Sequence, residues 1–192
     1  MPMIRETIVT TIDLAARVHI APLGIIGDGD QWILAPFRPS TTLDNLRAVP
    51  FAVASHTDDV RVFAGCLTGR RDWPTVPCEE SPVPRLAHCL AHTSLGVARV
   101  TEDEVRPRFH CNVLRHVAHA TFAGFNRAQA AVIEAAILAS RLHMLPREKV
   151  TQEIAQLGIV ISKTAGPMEE TAWGWLVEKI SAHYAALDAK AV

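Results

Sequence analysis

The sequence contains 192 residues, of which 19 are lysine or arginine and 20 are aspartate or glutamate, and its formal net charge is −1 at pH 7. A chain of this length can form a real core, since folding buries about 70% of the surface that the unfolded chain exposes. The balanced charge gives no electrostatic reason to expect binding to nucleic acid or to an acidic membrane, so we expect a small molecule or an ordinary protein as partner.

The cysteines and the N-terminal segment predict a cytoplasmic protein with reduced thiols. The segment MPMIRETIVTT lacks the basic and apolar regions of a signal peptide. Polar and charged side chains interrupt the apolar run at residues 128–145, which argues against a membrane span. No two cysteines have C-x-x-C spacing; they are Cys66, Cys78, Cys89 and Cys111.

The first part of the chain predicts a β-hairpin and a third strand. Its segments are rich in β-branched residues, and a GDGD sequence between them is a strong turn signal. The predicted order is strand 7–11, strand 18–26, turn 27–30 and strand 32–35.

Two short helices and a strand are predicted next. From Thr41 the sequence approximates a capping box, and Leu43 and Leu46 have helical spacing. Residues 51–54 predict a strand, and the T-D-D sequence at residues 57–59 can cap a second helix. That helix carries apolar side chains at i, i+3, i+4 and i+7 and ends at Gly69.

Residues 70–85 contain four prolines and therefore predict an irregular surface loop. After this loop, residues 95–100 and 109–117 predict a pair of strands joined by a charged turn. The β part of the chain is expected to end near Thr121.

The C-terminal third predicts three helices, so the fold class is α+β. The first, at residues 126–145, is apolar on most sides except for a stripe of Arg127, Glu134 and Arg141. The second starts after Pro146 and is expected to end at Gly158, and the last runs from Pro167 to about residue 188. We predict a first domain at residues 1–125 and a helical extension at residues 126–192.

The sequence PFRPSTTLDNL places an arginine and three hydroxyl residues before a helix, and two explanations are open. Ser and Thr cap helices without any ligand. The same helix start also offers unpaired N–H groups and a partial positive charge, which suit one phosphate group. No G-x-G-x-x-G or G-x-x-x-x-G-K-[ST] motif is present to indicate a dinucleotide or a nucleoside triphosphate.

The histidines suggest a metal site only weakly, and a structural or surface role is favoured. His88 and His92 would share one face of a helix, but the residues between them, Cys89 to Ala91, include no general base. No nucleophile motif of the G-x-S-x-G type is present, and we predict no metal ligands and name no catalytic residue.

The chain resembles the FMN-binding split-barrel superfamily, which includes the flavin reductases. Its C-terminal part is similar to a branch of that superfamily found in methanogenic archaea and in methylotrophs. The segments that carry the resemblance are VHIAPLGIIGDG (18–29), PFRPSTTLDNL (36–46), FAVASHTDD (51–59), FNRAQAAVIEAAILASRLHML (125–145) and AGPMEETAWGWL (165–176).

The resemblance implies an incomplete six-stranded barrel with helices at its rim, and FMN as cofactor. It implies a flavin ring along the first of these segments and a phosphate at the second, while Ser55 and His56 lie where relatives often carry an asparagine. The implied cofactor-binding residues are His19, Ile20, Ala21, Pro22, Leu23, Gly24, Arg38, Pro39, Ser40, Thr41, Thr42, Ser55, His56, Thr57, Asn126 and Arg127.

The resemblance also implies a homodimer, and the apolar helix at residues 126–145 is expected in its interface. The first functional hypothesis is an FMN-dependent oxidoreductase that passes hydride or electrons from a reduced nucleotide or deazaflavin to a small acceptor. The alternatives are a non-catalytic flavin-binding redox module or electron carrier, and a zinc-dependent hydrolase that uses the histidines. The sequence does not choose among these reactions.

Overall fold

The computed structural model describes residues 3–190 and contains eight strands and five helices within them. The elements are β1 (Ile4–Ile12), β2 (Val18–Asp28), β3 (Gln31–Leu34), α1 (Thr41–Ala48), β4 (Phe51–His56), α2 (Val60–Leu67), β5 (Thr75–Cys78), β6 (Ser81–Leu86), β7 (Ala91–Thr101), β8 (Arg108–Ala118), α3 (Arg127–Ser140), α4 (Arg147–Thr164) and α5 (Pro167–Lys190). The α+β class predicted from the sequence is confirmed.

The described chain forms two compact units. The barrel unit contains residues 3–57 and 72–122, and the helical unit contains residues 58–71 and 123–190. The helical unit is therefore discontinuous in sequence, because α2 belongs to it. The division at residue 125 that the sequence suggests stays a prediction.

Six strands of the barrel unit form a closed barrel in the order β1-β2-β3-β8-β7-β4, and all neighbours are antiparallel. Closure depends on a short ladder between β1 and β4, in which Ile8 is opposite Ser55 and Thr10 is opposite Val53. The expectation of an incomplete barrel therefore needs correction, since this ladder joins the two ends of the sheet.

The barrel core is built from side chains that alternate along the strands toward the inside. One buried cluster contains Val9, Ile25, Leu34, Leu95 and Phe109 together with other small apolar residues. Helix α1 adds Leu43 and Leu46 to this cluster. Since α1 follows the end of β3 and precedes the start of β4, it lies at one end of the barrel and leaves the other end to the strands alone.

The proline-rich segment is a β-hairpin, so the prediction of an irregular loop at residues 70–85 was wrong. Strands β5 and β6 pair antiparallel, with a register shift between Val76 and Cys78 where Pro77 interrupts the ladder. A two-stranded ribbon tolerates proline at positions that donate no ladder hydrogen bond. Strand β6 packs on the outside of the barrel, where the N–H of Leu86 donates to Oγ of Ser55 at 3.2 Å.

The paired strands predicted at residues 95–100 and 109–117 are confirmed as parts of β7 and β8, which pair over their whole length with two register shifts. His92 lies in β7 and His88 precedes that strand, so the helical spacing considered for these two histidines was wrong. The predicted strands 7–11, 18–26, 32–35 and 51–54 match β1 to β4.

The helical unit has its own core, to which all four of its helices contribute. The buried residues are Val60, Ala64, Ala128, Ala131, Val132, Ala135, Ala136, Ala139, Leu142, Val150, Ile161, Ala172, Leu176, Ile180 and Tyr184. The apolar face of α3 is therefore covered within this unit, and its charged stripe is exposed. Helix α4 does not end at Gly158 as predicted but continues to Thr164. Within residues 3–190, no helix has the length and hydropathy that crossing a bilayer requires.

Candidate functional site

The start of α1 combines an ordinary helix cap with free backbone donors. Ser40 is the N-cap with an extended backbone, and its Oγ accepts a hydrogen bond from the N–H of Leu43 at 3.3 Å. The N–H groups of Thr41 and Thr42 have no partner within the helix, as in the first turn of any α-helix. Thr42 is buried and Thr41 is exposed. The capping explanation thus holds for Ser40, while two donors remain for a ligand.

Arg38 lies beside this helix start but is engaged by a carboxylate. Its guanidinium donates to Oε2 of Glu102 at 3.1 Å, and Arg47 donates to both oxygens of the same carboxylate at 2.9 and 3.0 Å. The backbone N–H of Arg38 donates to the carbonyl of Val105 at 2.9 Å, and the peptide bond to the exposed Pro39 is cis. These contacts fix the segment that enters α1.

A cavity of about 490 Å³ opens at Arg38 and is lined also by Glu102, Asp103 and Glu104. Hydrogen bonds from the N–H groups of Arg106 and Val105 lower the pKa of Asp103, which keeps that carboxylate charged. The three acidic side chains around Arg38 repel an anion. A phosphate can therefore bind here only if it replaces Glu102 as the ion-pair partner of Arg38. Breaking the Arg38–Glu102 pair costs little free energy, because the pair is exposed and exposed ion pairs contribute about 0–1 kcal/mol to stability.

The six predicted residues from His19 to Gly24 lie in β2, along a stretch that pairs with β1 alone. Strand β3 pairs only with Ile25 to Asp28 of β2. Within residues 3–190, the second edge of β2 over residues 20–24 therefore faces no strand. Backbone N–H and C=O groups on that edge are the kind of partner that a planar polar ring can bind.

The packing around position 24 offers a structural reason for the glycine there. A Cβ added at this position would lie 2.8 Å from Cγ2 of Ile4 and 3.3 Å from Oε1 of Glu6, both on the neighbouring strand. The close approach of these two exposed side chains favours glycine at this position without a ligand.

Strand β1 brings the predicted residues of β2 and β4 into one register. Pro22 is opposite Ile8, and Ile8 is opposite Ser55 on its other side. Adjacent strands are about 4.8 Å apart, so Pro22 and Ser55 lie about 10 Å apart across the barrel wall. Ser55 is buried and holds β6, His56 ends β4, and Thr57 follows it.

Asn126 and Arg127 belong to the helical unit. Asn126 is the N-cap of α3, and its Oδ1 accepts a hydrogen bond from the N–H of Ala128 at 2.8 Å. Arg127 is exposed. The cap accounts for Asn126 without a ligand, and the cofactor role of both residues stays a prediction.

A second cavity of the barrel unit was missed by the sequence analysis. This mouth cavity has a volume of about 540 Å³ and is lined by Arg5, Trp32, His56, Thr93, Val113 and His116. These residues come from five strands, β1, β3, β4, β7 and β8, and all lie toward the same end of the barrel, opposite α1. Only His56 was named from the sequence, because the others meet through strand register and not through a motif.

A hydrogen-bonded chain of three side chains crosses the mouth cavity. Nε2 of His56 and Oγ1 of Thr93 are 3.0 Å apart, and Oγ1 of Thr93 and Nδ1 of His116 are 2.9 Å apart. Burial first, and then the charges of His116, Arg5 and His92, lower the pKa of His56 to about 4. His56 is therefore neutral at pH 7.

The remaining histidines do not form a metal site in the described part of the chain. Nδ1 of His92 and Nε2 of His119 are 2.8 Å apart in a stacked pair. Across residues 3–190, no group of three or more His, Cys, Asp or Glu side chains is placed to hold a metal ion. The geometry thus gives no support to the zinc hydrolase alternative.

The fold is similar to that of flavoproteins of known structure. An FMN-bound protein from Methanosarcina mazei, assigned to the DUF447 family, is 21% identical over 92% of this chain and 94% of its own, with a TM-score of 0.79. An NADH:FAD oxidoreductase of Streptomyces globisporus is 17% identical over 62% and 72% of the two chains, with a TM-score of 0.51.

A split-barrel protein from Shewanella frigidimarina, assigned as a flavin reductase, is 8% identical over 59% and 66% of the two chains, with a TM-score of 0.54. These likenesses confirm the predicted split-barrel fold.

No curated protein matches the sequence significantly. Two models described as protein of unknown function DUF447 match residues 5–120, the N-terminal domain, and residues 126–178. Together they cover most of the chain, which therefore belongs to the DUF447 family.

Proposed function

We propose that this protein binds FMN and acts as an oxidoreductase, passing hydride or electrons from a reduced nucleotide or deazaflavin to a small acceptor. The observation that carries the proposal is the likeness to the FMN-bound DUF447 protein, which extends over 92% of the chain with a TM-score of 0.79. Similarity over the helical part as well as the barrel distinguishes this likeness from those that cover about 60% of the chain.

The residues at the start of α1 fit the phosphate end of FMN. The free N–H groups of Thr41 and Thr42 point out of the helix start, the helix dipole favours a negative charge, and Arg38 lines the adjoining cavity. In this proposal Arg38 leaves Glu102 and pairs with the phosphate. One such cradle suits a mononucleotide, and the sequence has no dinucleotide fingerprint that would indicate FAD.

The unpaired edge of β2 fits the ring end of FMN. Bound FMN would supply the hydride and electron chemistry that no side chain of the protein offers. The protein's part is to hold the ring against residues 20–24, where backbone groups face no strand, and to keep water away with the apolar side chains of Ile20 and Leu23. We name no residue as proton donor.

We also propose a homodimer, but on different grounds from those in the sequence. The apolar face of α3 is covered by α2, α4 and α5, so it no longer argues for a second subunit. Leu114 on β8 is instead 43% exposed and does not line the mouth cavity, so it is an apolar side chain that a second subunit would cover.

The decisive experiment is purification followed by absorption spectroscopy and mass spectrometry of the released cofactor. We expect a yellow protein that releases FMN in a ratio near one per chain. Protein that is colourless and does not take up added FMN would overturn the proposal, and full occupancy by FAD would correct the cofactor.

Anaerobic reduction then tests the reaction. An oxidoreductase is expected to be bleached by NADH, NADPH or a reduced deazaflavin and to recover its colour with an acceptor. Bleaching by dithionite alone would favour the electron-carrier alternative over an enzyme with a substrate of its own.

A further inference from the structure

The mouth cavity has the features of a binding site for a small anion. Its lining contains one permanent cation, Arg5, and no acidic residue. Within residues 3–190, no carboxylate forms an ion pair with the Arg5 guanidinium. The neighbouring Glu6 lies on the other face of β1, where its carboxylate approaches Gly24. An unpaired arginine in a concave site is a ready partner for a carboxylate.

Two residues of the lining are apolar, and one of them, Trp32, has a planar ring. Trp32 is partly buried against the barrel core, and Val113 lies on the neighbouring strand β8, two residues after Cys111, which pairs with Trp32. The volume of about 540 Å³ is within the range of small-molecule pockets. A ligand that fits has a flat apolar body and a negative group at one end.

The histidine chain adds hydrogen-bonding groups to the cavity. The Thr93 hydroxyl carries one proton, so it can donate to only one of the two imidazoles. The ring nitrogens turned away from Thr93, Nδ1 of His56 and Nε2 of His116, are the positions at which a polar group of a ligand can bind.

We propose that the mouth cavity binds a small organic monocarboxylate with a planar apolar body, whose carboxylate pairs with Arg5. A phosphate ester is disfavoured, because the lining has a single arginine and no helix N-terminus for a second negative charge. The site is distinct from the phosphate cradle at α1, which lies at the other end of the barrel. From Arg108 to Val113 the strand β8 rises about 17 Å, which gives the scale of that separation. The inference does not depend on FMN binding.

The test is a titration with benzoate, followed by calorimetry and by NMR of the imidazole signals. The neutral benzamide has nearly the same shape and lacks the charge. The variant Arg5→Gln removes the proposed partner, and Arg17→Gln is the matched control, because Arg17 is an exposed arginine of the β1–β2 turn paired with Asp13. His56→Gln identifies the signal of His56 by its loss.

We expect benzoate to shift the signals of His56 and His116 and to bind wild type and Arg17→Gln equally. Affinity should fall about ten- to a hundred-fold in Arg5→Gln, and benzamide should bind the wild type as weakly, because both changes remove one charge-assisted contact. Equal benzoate affinity in Arg5→Gln, equal affinity for benzamide, or no binding up to about 10 mM, which corresponds to less than 3 kcal/mol, would overturn the inference.

The titration is repeated with FMN-saturated protein to separate this inference from the proposed function. Unchanged benzoate binding in the presence of FMN supports a separate site. Loss of benzoate binding in FMN-saturated protein would overturn it and make the mouth cavity part of the flavin site. If the protein binds benzoate but never FMN, the proposed function fails and the inference stands.

Discussion

Glu102 is shared by two arginines, and this sharing defines what can be tested at the start of α1. Arg38 precedes the helix and Arg47 lies in its last turn, yet both donate to the same exposed carboxylate. Removal of either arginine costs the same kind of surface ion pair, which contributes little to stability. Only Arg38 lines the cavity at the helix start. The two arginines are therefore a matched pair for separating a ligand contact from a structural one.

We predict that Arg38→Ala changes the free energy of unfolding of the FMN-free protein by less than about 0.5 kcal/mol, as for other surface sites. The same substitution should weaken FMN affinity about ten- to a hundred-fold, because it removes a charge-assisted contact of about 1.5–3 kcal/mol. Flavin titration and thermal melts with and without FMN measure both effects.

Arg47→Ala is the control and should leave FMN affinity within about twofold, whereas Glu102→Gln should strengthen it by releasing Arg38. Equal FMN affinity in wild type and Arg38→Ala would return the segment to helix capping. The phosphate contact would then have to be sought at other arginines of the chain.

His56 predicts a dependence of stability on pH. Its pKa is about 4 in the folded protein and 6.5 in the unfolded reference, so between these values the unfolded chain binds a proton that the folded chain does not. The free energy of unfolding should therefore be unaffected above pH 6.5 and should fall as the pH is lowered from about 6.5 to 4. Since His56 is only partly buried, we expect a loss of about 1–2 kcal/mol.

Chemical denaturation at several pH values measures this slope, and His56→Gln should reduce it. His92 and His119 also have lowered pKa values, because of burial first, so part of the slope should remain in the variant. His88→Gln, at an exposed position, is the control. A slope that is the same in wild type and His56→Gln would show that His56 is protonated as freely in the fold as outside it.

At the scale of elements, α1 is held to the barrel by one buried polar contact. Nδ2 of Asn45 donates to Oγ1 of Thr11 at 3.0 Å, and both residues are buried. The contact complements the burial of Leu43 and Leu46 on the same helix. It fixes the rotation of α1 and thereby the direction in which its first N–H groups point.

We predict that Asn45→Ala lowers the free energy of unfolding by about 1–3 kcal/mol, because the Thr11 hydroxyl loses a buried partner. FMN affinity should fall with it, although Asn45 is not one of the predicted cofactor-binding residues. Asp44→Ala, at the neighbouring exposed position, should change stability by less than about 0.5 kcal/mol. Unfolding curves and flavin titration test the pair, and unchanged FMN affinity in Asn45→Ala would mean that α1 does not orient the phosphate site.

The elements that the sequence predicted well are those with a local cause. The strands at residues 7–11 and 18–26 are β-branched, and a hydroxyl residue caps α1, although the cap is Ser40 and not Thr41, from which the capping box was predicted. The hairpin of β5 and β6 was missed because proline content argues against a strand, while its strands are stabilised by packing on β1 and β4. Helix α4 passes Gly158 because the loss of about 1 kcal/mol at one glycine is offset by packing against Trp173.

Residues of the candidate site, too, could be predicted only where they are close together in the sequence. Arg38, Ser40 and Thr41 are adjacent in sequence and could be grouped from it. Arg5, Trp32 and Thr93 are far apart in sequence and meet only because the order and register of the strands bring them to one barrel end. No local pattern contains that register, since a shift by one residue would turn each side chain to the opposite face.

At the scale of the whole molecule, the two units do not follow the chain in order. Helix α2 lies between two segments of the barrel unit in sequence, but its buried side chains pack with α3 and α5. Val60 is 1% exposed and Ala64 is fully buried in that cluster. A division at residue 125 would therefore keep α2 with the barrel and remove the two helices against which it packs, α3 and α5.

We predict that a chain ending at residue 125 does not fold as an independent domain. Its α2 would expose Val60 and Ala64, and an apolar helix face without cover favours aggregation or partial unfolding. We expect a lower and broader thermal transition than that of the full chain, with binding of an apolar dye.

The full-length variant Leu176→Ala separates this effect from the simple loss of residues, because Leu176 is fully buried in α5 within the same cluster. It should lower the free energy of unfolding by about 2–5 kcal/mol while every segment stays present. If the shortened chain instead unfolds cooperatively at the temperature of the full chain and binds no dye, then α2 does not need its helical partners, and the two-domain division at residue 125 is the correct one.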